Sequence, residues 1–156
     1  MHFKTVINKL IEKNKTISTM ESCTVGYIAN AITNIEGAST IFKFGAVTYS
    51  NEYKIKMGVS KETIDKYSVY SIETAREMAY NISKFTNSDY GIGITGKLKR
   101  SDENNNYGKD NEVFISIYIK KENKYIDSSI LIYKKTREEN KKLILQKIEE
   151  ELLSII

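Results

Sequence analysis

Phe3, Val6, Ile7, Leu10 and Ile11 recur at the i, i+3, i+4, i+7, i+8 spacing of one helix face, so the chain opens on an amphipathic helix over 3–14. TISTM (16–20) then reads as a short strand, ESCT (21–24) as a turn, and 25–33, rich in Ala and Ile, as a second helix. A loop over 34–37 leads to FGAVTY (44–49), whose apolar run predicts a buried strand, and a short helix is expected over 51–57. Ser60 and Ser71 stand at N-cap positions ahead of KETIDKY and IETAREMAYNISKF, where a serine hydroxyl satisfies a free N–H of the first turn.

DYGIGITG (89–96) is apolar and punctuated by glycine, which suits a central strand running into a tight turn. KLKRSDENNNYGKDN (97–111) is polar and predicts a mobile loop. VFISIYIK (113–120) and YIDSSILIY (125–133) flank KENK and form an expected hairpin, and Thr136 with Glu139 makes a capping-box pattern ahead of a last helix over 137–154. Alternating strands and helices followed by a hairpin and a helix predict an α/β sandwich, one sheet covered on both faces. With no repeat and no linker-like stretch, 1–156 reads as a single domain.

Composition removes several kinds of chemistry. One Cys excludes a disulfide framework and a Cys-based metal cluster, and it fits a reducing compartment. The one His stands at position 2, so Ser-His-Asp and Cys-His machinery would need the terminus to fold inward. No apolar run reaches membrane-spanning length and MHFKTVINKLIEKNK is too charged for a signal peptide, so a soluble cytoplasmic chain with no membrane partner is expected. A net charge of +4 invites a nucleic-acid reading. Only three of the 24 basic residues are Arg, the Lys residues mix with Glu, and the 23 Ile and 13 Asn point to A/T-rich coding, so no nucleic-acid partner is expected.

The segment TMESCTVG (19–26) carries the strongest chemical signal, because a strand ends there and a helix starts at once. A side chain in such a turn projects from the carboxyl edge of the sheet beside free backbone N–H groups, which can hold a phosphate or an oxyanion. Simple N-capping by Ser22 or Thr24 is the plainer reading of the same residues. Two nucleophiles compete, Ser22 and Cys23. A cysteine needs an imidazole or other base, and an isolated Cys is more often a small buried apolar residue, so Ser22 is favoured. A serine also needs a base, and without His a lysine of lowered pKa replaces it. GAVTYSNEYKIKMGV (45–59) offers one: with a helix from Asn51, Lys54 lies one turn in and points back over the strand end. Its pKa would be lowered by poor solvation or by a second cation nearby, for which Lys56 is the candidate. Tyr49 would sit between Lys54 and the serine and pass a proton, whereas a surface lysine and a half-buried tyrosine are the plainer reading of the same residues.

In order and spacing, ESCT with its near glycine, GAVTYSNEYKIKMGV, the SIETAREMA helix start and ITG (94–96) resemble the CinA C-terminal domain family over nearly the whole chain. That family includes stand-alone nicotinamide-nucleotide amidases. The resemblance implies a three-layer α/β/α sandwich around one mixed sheet, commonly a homo-oligomer. It implies an amidohydrolase that converts the carboxamide of nicotinamide mononucleotide to the carboxylate and ammonia, with no cofactor and no metal. Ser22 would be the nucleophile, Lys54 the general base and Tyr49 its partner in proton transfer. Glu21 and Thr24 would orient the turn, Gly26 would contribute to the phosphate end, Thr95 and Gly96 would line the opposite wall, and Arg137 would meet a phosphate. The chain departs from the family pattern at three places. Val25 stands where ESCTGG is usual, KLKRSDENNN replaces a Gly/Pro-rich loop, and Asn111 and Glu112 replace the glycine that opens the next strand. Lys97, Lys99 and Arg100 would then supply by charge what backbone amides no longer do. The alternative is a nucleotide-binding or regulatory module of the same fold that has lost turnover.

Overall fold

The computed structural model describes residues 2–98 and 111–156, and the central part of the expected 97–111 loop lies outside them. In chain order the elements are α1 (His2–Lys13), β1 (Ile17–Glu21), α2 (Tyr27–Thr33), a single 3-10 turn (Ala38–Thr40), β2 (Gly45–Val47), α3 (Asn51–Lys56), α4 (Lys61–Tyr67), α5 (Ile72–Thr86), β3 (Tyr90–Gly96), β4 (Glu112–Ile119), β5 (Lys124–Leu131) and α6 (Arg137–Ile155). The five strands form one mixed sheet in the order β2-β1-β3-β4-β5. β1 runs parallel to β2 and β3, whereas β3, β4 and β5 are antiparallel neighbours. The sheet order places β1 and β3 in the interior and leaves β2 on an edge.

The two faces of the sheet are filled differently, which makes the molecule a three-layer α/β/α sandwich. On one face, Phe3, Ile7 and Leu10 of α1, Ile28 and Ile32 of α2, and Ile144, Ile148 and Leu152 of α6 pack against Ile17, Ile92, Ile94 and Ile115. These helix residues follow the three-and-four spacing that puts them on one stripe. On the other face, Met78 and Ile82 of α5 join Met20, Ala46 and Val59 in a smaller core. α5 lies unusually near the sheet. A Cβ on Gly91 would stand 2.2 Å from the carbonyl oxygen of Ala79, and one on Gly93 2.2 Å from that of Ala75. Gly91 and Gly93, the first two glycines of the GIGITG run, are therefore there for a helix backbone to approach, in the way glycine in a strand interior often signals.

Helix starts follow the expected caps. Ser60 accepts from the amide of Glu62, Ser71 from that of Thr74 and Thr136 from that of Glu139. Three expectations are corrected. The second helix begins at Tyr27 rather than Val25, because Val25 and Gly26 both take positive φ (48° and 86°) and cannot be helical. The strand expected over 44–49 is a three-residue edge strand with Gly45 and Val47 exposed, not a buried one. The first two residues of the expected loop, Lys97 and Leu98, are buried.

Candidate active site

Glu21 ends β1 and organises the turn that follows. Its buried carboxylate accepts hydrogen bonds from Thr24 Oγ1 (2.5 Å), the Ile28 amide (3.0 Å) and the Ala29 amide (3.0 Å). The position before α2 is Gly26, which has no side chain to cap with, so Glu21 reaches forward from the strand and satisfies the helix N–H groups itself. A buried carboxylate is tolerable here because each donor offsets its lost hydration. The Ser22 amide donates to the carbonyl of Ile94 (3.0 Å), and Val25 N returns to the Ser22 carbonyl (3.1 Å), which fixes Ser22 at the carboxyl edge of β1.

Lys54 arrives from α3. Ser50 caps that helix by accepting from the Tyr53 amide, so Lys54 is one turn in and its stem runs back under the edge of the sheet. It is 1% exposed and heads the fully buried side chains in volume. Its ammonium donates to Ser22 Oγ (2.9 Å) and to the Thr48 carbonyl (2.7 Å), with the Tyr49 carbonyl at 3.5 Å. All three partners are neutral oxygens. Burial without a counter-charge pushes the Lys54 pKa down from 10.5 to about 8. A neutral fraction of the amine is therefore present near pH 7, within hydrogen-bond reach of a hydroxyl. Burial acts in the opposite sense on the neighbouring thiol and pushes Cys23 up to about 12. Cys23 stays protonated and packs with the apolar residues of the larger core. A hydroxyl held against a buried amine of lowered pKa is the arrangement of an activated nucleophile and its base. Among the described residues no group of three or more His, Cys, Asp or Glu is placed to hold a metal ion, and no helix is long and apolar enough to cross a membrane.

The family model described as CinA C-terminal domain matches residues 2–155. The chain belongs to the CinA C-terminal domain family. A stretch of 92 residues is 49% identical to a CinA-like protein of Kosmotoga olearia, covering 58% of this chain and 22% of that protein. A stretch of 88 residues is 50% identical to a CinA-like protein of Endomicrobium trichonymphae, covering 56% of this chain and 21% of that one. The chain thus matches only a minor part of the length of these curated relatives. Among solved structures, the competence or damage-inducible protein from Enterobacter asburiae superposes with a TM-score of 0.87 at 23% identity, covering 99% of this chain and 96% of that chain. The CinA superfamily protein from Enterobacter cloacae gives 0.86 at 24% identity, covering 98% and 88%. At these identities the structures show the fold.

On this CinA fold the remaining residues expected from the sequence fall into two groups. Thr24 and Glu21 bond each other inside the turn, Gly26 sets its left-handed exit, and Thr95 is the next residue after the Glu21–Ile94 pair of the β1–β3 ladder. These residues gather around Ser22. Thr95 Oγ1 is already committed to the Val69 carbonyl (2.9 Å). A Cβ on Gly96 would come within 2.5 Å of the Glu112 carbonyl oxygen, so that glycine makes room for β4. Arg137 is exposed, and its guanidinium donates to the Leu98 carbonyl (3.3 Å) at the end of the β3 segment. Tyr49 does not lie between Lys54 and Ser22. Lys54 touches Ser22 directly, and Tyr49 is 62% exposed, contributing its carbonyl to the lysine cage. Of the two causes expected for a lowered Lys54 pKa, poor solvation is the one at work; Lys56 pairs with Glu52 on the exposed side of α3 (3.4 Å). Lys99 and Arg100 lie outside the described residues.

Sequence reasoning passed over Thr48 and Tyr70. Thr48 stood inside the VTYSNE motif, but its use here is through a carbonyl, which residue identity does not reveal. Tyr70 lies under Lys97, with the ammonium 4.9 Å from the ring centroid, and nothing in KYSVYS marks that contact.

Proposed function

We propose that this chain is an amidohydrolase that cleaves the carboxamide of nicotinamide mononucleotide to the carboxylate and ammonia, with Ser22 as nucleophile and Lys54 as general base. The observation that carries the reading is the 2.9 Å contact between Lys54 Nζ and Ser22 Oγ inside a buried pocket of neutral oxygens. In the deprotonated amine's favour, the depressed pKa puts the base near working pH, where general-base catalysis is most efficient. The amine takes the Ser22 proton as Oγ attacks the carboxamide carbon, and the tetrahedral oxyanion is met by backbone amides of the 22–26 turn other than those of Ser22 and Val25, which are already bonded. Lys54 then returns the proton to the leaving nitrogen, ammonia departs, and water attacks the Ser22 ester by the same proton route to release the acid. Glu21 holds the turn in place, and Tyr49 acts through its backbone.

Ammonia release from nicotinamide mononucleotide tests this. Ser22→Ala should lower kcat by at least about 10³-fold with the melting temperature retained, as removal of an attacking group does. Cys23→Ala should retain most of the turnover, because the buried thiol is protonated at working pH. A lethal Cys23 change beside a mild Ser22 change contradicts the reading. Nucleotide binding with no ammonia from the parent chain selects the non-catalytic module.

A further inference from the structure

Among the described residues, two buried polar side-chain atoms on the strand ends either side of Ser22 have no hydrogen-bond partner: Thr48 Oγ1 and Lys97 Nζ. Each stands just beyond one of the strands beside β1. Pairing of Glu21 with Val47 brings Thr48 next to Ser22, and pairing of Glu21 with Ile94 brings Thr95 next to it on the other side, with Lys97 two residues further. Alternation along the strands decides which face they share. Ala46 belongs to the core beneath α5, so Thr48 turns to that face. Gly93 abuts α5, Thr95 Oγ1 reaches the Val69 carbonyl and Lys97 lies over Tyr70, so these three alternate positions face the same way.

Lys97 is 4% exposed, yet no carboxylate or carbonyl among the described residues receives its ammonium. An unpaired buried cation costs far more than one aromatic contact returns, and an apolar residue of similar length would fill the same space without that cost. We propose that Lys97 is a specificity-determining residue of the Ser22 site, whose ammonium receives the phosphate of a phosphorylated amide substrate. This rests on the amidase reading above and deepens it. Lys97 stands two residues past Thr95, one strand repeat of roughly 6–7 Å beyond the nucleophile's neighbour. That separates the anion it binds from the amide at Ser22, as in a substrate carrying carboxamide and phosphate at opposite ends. A lysine is suited to the part as a mobile point charge for phosphate. Thr48 Oγ1 gives the same ligand a second unpartnered group on the opposite flank.

The test has a binding arm and a kinetic arm on the full chain. In the binding arm, inorganic phosphate and acetate are compared at equal ionic strength by their effect on melting temperature. Phosphate should raise it for the parent and for Ser22→Ala, whereas Lys97→Gln and Lys97→Met lose that rise and Lys97→Arg keeps part of it. In the kinetic arm, Lys97→Gln should raise KM for nicotinamide mononucleotide at least tenfold with kcat within about threefold, and leave nicotinamide riboside, which has no phosphate, unchanged. Unaltered phosphate stabilisation in both neutral variants overturns the proposal, as does an equal loss on both substrates or equal stabilisation of the parent by acetate and phosphate. If the parent releases no ammonia, the amidase reading fails while the binding arm still decides the assignment of Lys97.

Discussion

Lys54 shows how one side chain ties function to a stability cost. Its pKa is about 8 in the folded chain against 10.5 for the ordinary side chain, because folding strips its water and supplies only neutral acceptors. Between those two values the unfolded chain holds more protons than the folded one, so stability rises with pH through that window. Below pH 8 the full burial cost is present. Lys54→Met should therefore be more stable than the parent at pH 7 by roughly 1–3 kcal/mol, the conversion of the pKa shift less the lost amine hydrogen bonds. That margin should shrink as pH climbs from 8 toward 10.5. Urea unfolding at pH 7 and pH 10 measures it, and a Met variant weaker than the parent at pH 7 contradicts the desolvation account. At this scale the sequence was informative about identity and poor about contact. Residue types at a strand end and a helix turn left Ser22 and Lys54 as candidates beside plainer readings, and the family resemblance singled them out. The exposed placement of Tyr49 and the carbonyl role of Thr48 depend on backbone directions that no single residue type encodes.

The short turn between β1 and α2 is the element on which the site depends, and it is strained. Val25 holds φ at 48°, a left-handed conformation that a β-branched side chain enters only under constraint. The constraint is visible at both ends, where Glu21 ties the strand to α2 and Ser22 is tied to β3. Glycine at this position would adopt the same backbone freely. Val25→Gly should raise stability by up to about 1 kcal/mol, the left-handed penalty less glycine's extra chain entropy. A thermal melt checks the sign, and a loss of more than about 1 kcal/mol would mean that Val25 packing outweighs its strain. The helix caps at Ser60, Ser71 and Thr136 were legible because capping is local chemistry. The start of α2 was not, because its cap comes from Glu21, several residues upstream and inside a strand.

Across the whole molecule, the alternation of elements announced an α/β sandwich, and the structure has that architecture. The glycines of GIGITG marked a central strand correctly, but the reason for them is tertiary: α5 lies so near that a Cβ on Gly93 would stand 2.2 Å from the Ala75 carbonyl oxygen. Gly93→Ala should push α5 off the sheet and cost about 3 kcal/mol or more, at the upper end of overpacking. Since Val69 and Tyr70 lead into α5, the same variant should also disturb the wall that meets Thr95 and Lys97. A Gly93→Ala melt within about 1 kcal/mol of the parent would show that α5 yields without loss. FGAVTY was misjudged for a matching reason. Its apolar composition suits a buried strand, whereas sheet order put it on the edge, where Val47 is 49% exposed.

The Ser22–Lys54 pair is most directly tested by the pH dependence of kcat/KM for ammonia release from nicotinamide mononucleotide, measured on the parent and on Lys54→Arg. The parent should rise to a plateau with an apparent pKa near 8, because only the neutral amine accepts the Ser22 proton. Lys54→Arg should be inactive across the same range, since a guanidinium stays charged. A parent profile that is flat through pH 8, or an arginine variant that turns over at near the parent rate, contradicts a general base at Lys54.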